Sequence, residues 1–231
     1  GLPSEALQWA VDGQPMGNGD AVNAAGLAPG SHTATLTATD SISNSAAVST
    51  DFTISPLSIQ QVTTAPTLDG VCTDESYAGG TDLQLKPYGD GSQGAVRLVR
   101  TADYLYACFS GMPKGATDPG AFVGLRIDAN NSRDSQAQSD DVGFFVGEDG
   151  DVKTVAGNGA GGFAEAGPGG LAGQVSADPN SWNAEVRIDQ ATLGGWGHLV
   201  GLSAGHYAVN AQGDDYVWPY TAVDNSPRTW A

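Results

Sequence analysis

The sequence predicts an all-β fold. Short Val-, Thr- and Ala-rich runs lie between clusters of Gly, Asn, Asp and Pro, the punctuation of strands and turns. Glycine is abundant, at 33 residues, while charged residues make up only 15%, which favours strands and turns over salt-bridged helices. No stretch sustains the apolar spacing of an amphipathic helix. The 231 residues suffice for one or two domains with a real core.

The first unit spans 1–55. Leu7-Gln8-Trp9-Ala10-Val11 is a strand candidate, and Asp12-Gly13 is a turn signal. Gly26 to His32 leads into the alternating run Thr33 to Asp40, and a last strand covers Ala46 to Ile54. Pro56 to Ala65 reads as a short linker. Pro66 to Ala231 then forms one larger domain. Its strand candidates are Val96–Arg100, Tyr104–Phe109, Phe122–Asp128, Val142–Val146, Val152–Val155, Asn183–Ile188 and His206–Ala211. Asp149-Gly150-Asp151 reads as a hairpin turn, and glycine-rich Gly157 to Gly173 as a mobile surface loop. No Lys-Ser/Thr signature follows those glycines, so they do not read as a phosphate cradle.

The net charge of −17 and the pI near 4.1 disfavour nucleic acid and anionic lipid as partners, and suit cations or neutral ligands. No run is apolar enough to span a membrane. Cys72 and Cys108 are expected to pair as a disulfide in an oxidising compartment, with two buried free thiols as the alternative. The chain opens without Met or a signal peptide, and is expected to be a processed or trimmed piece of a larger secreted protein.

Residues 1–55 resemble the C-terminal half of an immunoglobulin-like or PKD-like domain. Trp9, the Leu27-x-Pro29-Gly30-x-His32 approach and the Thr-rich strand ending at Asp40 carry that resemblance. A full module needs about 100 residues and seven strands. The unit is therefore expected to be partial: upstream sequence or another chain completes it, or it forms a smaller sheet.

The larger domain resembles the family 9 carbohydrate-binding module and the wider DOMON-like group. The matching residues run in the family's order: Pro66-Thr67-Leu68-Asp69-Gly70 with Asp74-Glu75, Asp103-Tyr104-Leu105-Tyr106, Ile127-Asp128 with Asp140-Asp141-Val142, Trp182 to Ile188, then Trp218-Pro219 and Pro227 to Trp230. The resemblance implies an antiparallel β-sandwich. Sugar-binding members clamp a sugar between two tryptophans, a pair that these motifs do not single out here.

The richest chemical segment is Asp128, Asn130 and Asp134 followed by Asp140 and Asp141. Calcium takes six to eight oxygen ligands, and adjacent carboxylates repel until a cation relieves them. The central Gly and terminal Glu of an EF-hand are absent. The competing reading is a polar loop with Asx turns. The family resemblance tips the choice to calcium, with Asp69 and Glu185 as candidate additional ligands. Scattered histidines and the lack of a Cys/His cluster disfavour zinc.

Sugar sites use exposed aromatic rings with polar groups around them. Trp196, between glycines, Trp218 and Tyr220 beside Pro219, and Tyr88 in a Pro/Gly loop are the candidates. The alternative is that these rings fill the core, as Trp182 and Trp230 are expected to do. A haem reading rests on Met112 with His198 or His206, and a packing methionine is the simpler account. No nucleophile elbow is present, and no carboxylate pair stands out as catalytic. The expected function is non-catalytic carbohydrate recognition or adhesion at a cell surface, stabilised by calcium. A structural or assembly module, joined to further domains or neighbouring subunits, is the first alternative, and haem electron transfer the second.

Overall fold

A computed structural model describes residues 3–22, 27–115, 120–167, 169–208 and 214–231. The chain divides into two compact units, Gly1–Pro56 and Leu57–Ala231.

The first unit contains β1 (Leu7–Val11), β2 (Gln14–Asn18), β3 (Gly30–Thr39) and β4 (Ser45–Ile54), in one antiparallel sheet of order β2-β1-β3-β4. Asp12 and Gly13 both take positive φ, 51° and 78°, the geometry of a two-residue hairpin turn whose twist matches its strands. Register places Trp9, Leu36 and Val48 side by side on one face. On the other face, hydroxyls pair across β3 and β4: Thr33 donates to Asp51 at 2.7 Å, and Thr35 meets Ser49 at 2.9 Å. Val48 is 66% exposed, so this apolar face is not closed over by a second layer. The described residues of this unit make a single four-stranded layer, and the immunoglobulin-like resemblance gains no support from it. Gly26 of the expected approach lies outside the described residues.

The second unit contains β5 (Gln60–Gln61), β6 (Thr81–Gln84), β7 (Ala95–Arg100), β8 (Tyr104–Pro113), β9 (Phe122–Asp128), β10 (Asp141–Gly147), β11 (Val152–Gly157), β12 (Phe163–Ala166), β13 (Leu171–Ala177), β14 (Ser181–Asp189), β15 (Gly201–Tyr207) and β16 (Tyr216–Trp218). They form two sheets, β12-β11-β10-β9-β15-β16 and β13-β14-β8-β7-β5, and β6 also pairs with β7. All pairs are antiparallel except β5 with β7. The stretch expected as a linker thus carries β5, which runs beside Val99 and Arg100.

Period-two alternation builds the core. Val123, Leu125 and Ile127 of β9 and Phe144 and Val146 of β10 meet Leu105, Ala107 and Phe109 of β8 and Val186 and Ile188 of β14. The outward faces are covered as well. Phe145 and Tyr207 lie flat along their own sheet, and a Cβ on Gly124 or Gly205 would collide with their rings. Arg126 sits among these rings, 5.0 Å from the Phe145 centroid and 4.6 Å from that of Tyr207, and its guanidinium pairs with Asp224 at 2.7 Å.

Two stretches differ from the sequence expectation. Gly157 to Gly173 is not all loop: Phe163–Ala166 pairs with β11, and β13 starts at Leu171. Glycine content masked a Phe163 ring stacked on Trp230. The last large strand starts at Gly201, not His206, and every residue of it is buried although most are small or polar. Residues 209–211 of the expected strand lie outside the described residues. The Asp149-Gly150-Asp151 turn connects β10 to β11, with Gly150 at φ 89°.

Cys72 and Cys108 are disulfide-bonded across 36 residues of chain, with Cα atoms 5.6 Å apart. Closing a loop of that length restricts the unfolded chain by about 4 kcal/mol in the chain-entropy picture. The paired Cys72→Ser, Cys108→Ser variant is expected to lose roughly 2–4 kcal/mol in urea unfolding. An unchanged midpoint would refute that role.

His206 is fully buried; its Nδ1 lies 2.9 Å from the Tyr88 hydroxyl, and its Nε2 has no partner. Burial pushes its pKa down to about 3. The unfolded imidazole titrates near 6.5, so the unfolded state takes up the proton first. Stability from this group is present above about pH 6.5 and is lost as pH falls towards 3, on the order of 4–5 kcal/mol in all. Chemical unfolding at pH 7 and pH 4 should therefore show a smaller acid loss for His206→Gln than for the native chain.

Candidate functional site

The register of β9 and β10 sets Asp128 directly opposite Asp141, with residues 129–140 curling between them. Asp128 is fully buried, and both its oxygens are occupied by the loop: Ser132 N–H donates to Oδ1 at 3.0 Å and Arg133 N–H to Oδ2 at 2.8 Å. Asn131 and Arg133 take left-handed φ of 53° and 56° to make that curl. Asp141 is also fully buried; its Oδ2 accepts the Gln138 N–H at 2.6 Å. Asp141 Oδ1 and Asp140 Oδ2 are shielded from solvent and have no hydrogen-bond partner.

Carboxylate oxygens of Asp128, Asp140 and Asp141 lie within 4.8 Å of one another. Burial, reinforced by the charges of Asp128, Asp140 and Asp134, pushes the Asp141 carboxyl up to about 6. Exposed Asn130 accepts the Ser132 N–H at 2.8 Å, and Asp134 accepts the Ser132 hydroxyl at 2.9 Å. These two residues shape the loop, whereas the three converging carboxylates come from the strand ends. Asp69 and Glu185 do not join them; they meet Asp74 on the outward face of the other sheet.

The C-terminal segment clamps the acidic loop. Ala137 N–H donates to Asn225 O, and Arg228 N–H to Asp134 O, each at 3.0 Å. Arg133 adds a guanidinium bond to Arg228 O at 3.0 Å. Sequence reading missed these anchors because they use main-chain groups, which leave no residue-type signal. A hard cation fits the orphaned oxygens and the all-oxygen donor set.

The aromatic candidates separate. Tyr88 is buried, not exposed: its ring lies 4.5 Å from Tyr216, and its hydroxyl meets His206 and, at 3.4 Å, Met112 Sδ. It offers no ring face to a ligand. Met112 is fully buried, and the Tyr88 hydroxyl contacts both Met112 Sδ and His206 Nδ1, so the two side chains of the haem expectation are engaged with Tyr88. His198 is exposed. Trp182 and Trp230 are fully buried.

Trp196 is half-buried; its indole N–H donates to Ala102 O at 2.7 Å, and the Arg100 guanidinium lies 5.1 Å from its ring. Trp218 is half-buried on β16, the last strand of its sheet, opposite Ala204. Tyr220 follows and is 52% exposed. Gln93 Nε2, not singled out in the sequence, donates to the Tyr220 hydroxyl at 3.0 Å and to Leu85 O at 2.8 Å. Lys86 N–H bonds Val217 O at 3.2 Å, which ties the 85–93 loop to β16. Trp218, Tyr220 and Gln93 therefore share one edge of the sandwich.

No protein-family model matches the sequence, and no curated protein matches it. Solved structures with the same fold do. A family 9 carbohydrate-binding module from Caldicellulosiruptor kristjanssonii in complex with cellotriose aligns at a TM-score of 0.55 and 15% identity, covering 74% of this chain and 89% of that one. A family 9 module from the same organism in complex with glucose aligns at 0.55 and 14% identity, covering 74% and 93%. The larger unit is an antiparallel β-sandwich of that kind.

Asp141 makes a checkable contribution. Its raised pKa means that the folded chain holds the proton between about 4 and 6, so this carboxyl destabilises the fold above pH 6, on the order of 3 kcal/mol without a cation. In chelator at pH 7.5, Asp141→Asn is expected to unfold at higher urea than the native chain, and the gap should close towards pH 4. A variant less stable throughout would contradict this.

Proposed function

We propose that residues 57–231 form a non-catalytic carbohydrate-binding module, stabilised by calcium and working outside the cell. The observation that carries this reading is the open aromatic edge. Tyr220 presents an exposed ring whose hydroxyl is held by the Gln93 side-chain amide, and half-buried Trp218, packed against the core, stands two residues away on the same edge, so that an apolar face and a hydrogen-bonding group lie together as a pyranose needs. The sandwich shared with modules held in complex with cellotriose and glucose supports a neutral gluco-oligosaccharide as the ligand class. A net charge of −17 fits a neutral partner. The disulfide supports an oxidising location. Among the described residues no helix is long and apolar enough to cross a membrane.

Calcium at Asp128, Asp140 and Asp141 holds the loop that the C-terminal segment leans on. Asn130 and Asp134 complete the curl that brings these carboxylates together. The ion neutralises the buried charge, and its role is structural. The exposed apolar face and the uncovered β4 of the first unit favour one second reading, an assembly element for further domains or subunits.

The deciding experiment is a glycan array followed by titration of the best oligosaccharide into the native chain. Tyr220→Ala and Trp218→Ala are each expected to weaken binding about tenfold or more, roughly 1.4 kcal/mol. Silence across the array from folded protein would favour the assembly reading. In excess calcium, Asp141→Asn should become the less stable protein, the reverse of its behaviour in chelator, because ligand binding stabilises only the chain that holds the ion.

A further inference from the structure

Two Asn-Gly pairs occur in the chain, Asn18-Gly19 and Asn158-Gly159, and the fold holds them differently. An asparagine before glycine is open to attack by its own main chain, because no Cβ shields the next amide. Asn18 ends β2, opposite Gln8 of β1, and the Gly19 N–H donates to Leu7 O at 2.9 Å. The sheet therefore occupies that amide. Asn158 is exposed and lies in the turn between β11 and β12. Its own N–H donates to Gly162 O at 2.9 Å and closes the turn, whereas among the described residues no acceptor takes the Gly159 N–H.

The Asn158 side chain is polarised for such an attack. Its Oδ1 accepts two main-chain N–H groups, from Ala160 at 2.8 Å and from Gly162 at 3.1 Å. Two amide donors on one carbonyl oxygen draw electrons from its carbon. They also stabilise the negative charge that forms on the oxygen when a nucleophile adds. Gly159 takes φ 68°, a left-handed conformation that glycine adopts without strain. The space around it is open: a Cβ there would come no nearer to another residue than 4.0 Å, at Gln138 Oε1. A free amide nitrogen and an activated carbonyl thus adjoin in an exposed turn.

We propose that Asn158 is a site of self-modification, at which the folded chain converts its own asparagine to aspartate and isoaspartate. Hydroxide takes the Gly159 amide proton, and the nitrogen forms a bond to Asn158 Cγ. Oδ1 then carries the negative charge between the Ala160 and Gly162 amides. The Cγ–Nδ2 bond breaks, Nδ2 takes a proton from water and leaves as ammonia, and a cyclic imide remains. Water adds to either carbonyl of the imide and opens the ring to aspartate or to isoaspartate; nothing is oxidised or reduced. The turn rests on its neighbours: Asn225 Nδ2 donates to Gly161 O at 3.0 Å, and a Cβ on Gly161 would touch Gln136 at 3.0 Å. Isoaspartate adds a methylene to the main chain and a carboxylate to the turn, and so draws Gly161 away from Asn225. The reaction depends on neither sugar nor calcium binding.

The test ages the whole chain at mildly alkaline pH, once folded and once unfolded in urea. Its peptides are then mapped by mass spectrometry, with fragmentation that tells isoaspartate from aspartate. In urea both pairs are free, and each is expected to gain about 1 Da at a similar rate. In the folded chain Asn158 should keep that rate or exceed it. Asn18, whose neighbouring amide must first leave the sheet, should slow by at least tenfold, because its reaction waits on local opening. If folding slows Asn158 as strongly as Asn18, the bonds to Oδ1 form an Asx turn that only shapes the loop, and the proposal falls. Equal, undiminished rates at both pairs in the folded chain would also overturn it, since the fold would then have selected neither.

Discussion

Both sheets of the sandwich are buried on their outward faces as well as between them, and the covers are irregular chain. Residues 222–230 lie over β9, β10 and β15, and residues 69–77 over β8 and β14. Irregular segments have no ladder to satisfy their main-chain groups, and a buried amide without a partner is costly. The chain meets this constraint with buried carboxylates. Asp128 receives the amides of Ser132 and Arg133, Asp141 that of Gln138, and Glu185 those of Asp69 and Gly70. Each carboxylate solves a hydrogen-bonding problem and creates an electrostatic one. On the Asp224 side the charge is answered from within, by Arg126 stacked among aromatic rings. At Asp141 the charges of Asp128, Asp140 and Asp134 add to it.

This explains which parts were legible in the sequence. Strands with large apolar residues on alternate positions, such as Val123, Leu125 and Ile127, announce both their extent and their inward face. β15 does not, because its outward positions are Gly201, Ser203 and Gly205, kept small beneath the Tyr207 ring and next to Asp128. β12 hides among glycines for a similar reason. The acidic loop was visible because Asp140 and Asp141 adjoin and Asp128, Asn130 and Asp134 precede them in one short segment. Glu185 and Asp69 are 116 residues apart, and only the fold brings them together. Tyr88 was misread because a Pro/Gly neighbourhood usually means exposure, yet its hydroxyl finds polar partners inside the core. Gln93 carried no signal at all, since one amide in a loop looks like any other.

The sequence-level resemblance and the fold agree on the larger unit, while the first unit forms the smaller sheet that was one of its expected forms. Its β3 and β4 alternate with period two, hydroxyls mostly on one face and apolar groups mostly on the other, with Ala47 and Thr50 as exceptions. Such a pattern is the signature of a sheet with one covered side. In the described residues of this unit that side has no second layer, and Val48 remains largely exposed.

Charge and recognition are therefore separated in this chain. The acidic clusters act on the covers, where they fix loop geometry, while the aromatic edge at Trp218 and Tyr220 is built from uncharged groups. Stacking and an amide hydrogen bond depend little on ionic strength, whereas cation binding by carboxylates is screened less only because the groups are buried. A strongly acidic surface then imposes little electrostatic penalty on an uncharged ligand. The link between the two lies in the C-terminal segment. Asn225 and Arg228 grip the acidic loop through the main chain, and the same segment begins at Pro219 beside Tyr220. Main-chain bonds from the acidic loop thus reach the same C-terminal segment that carries Tyr220.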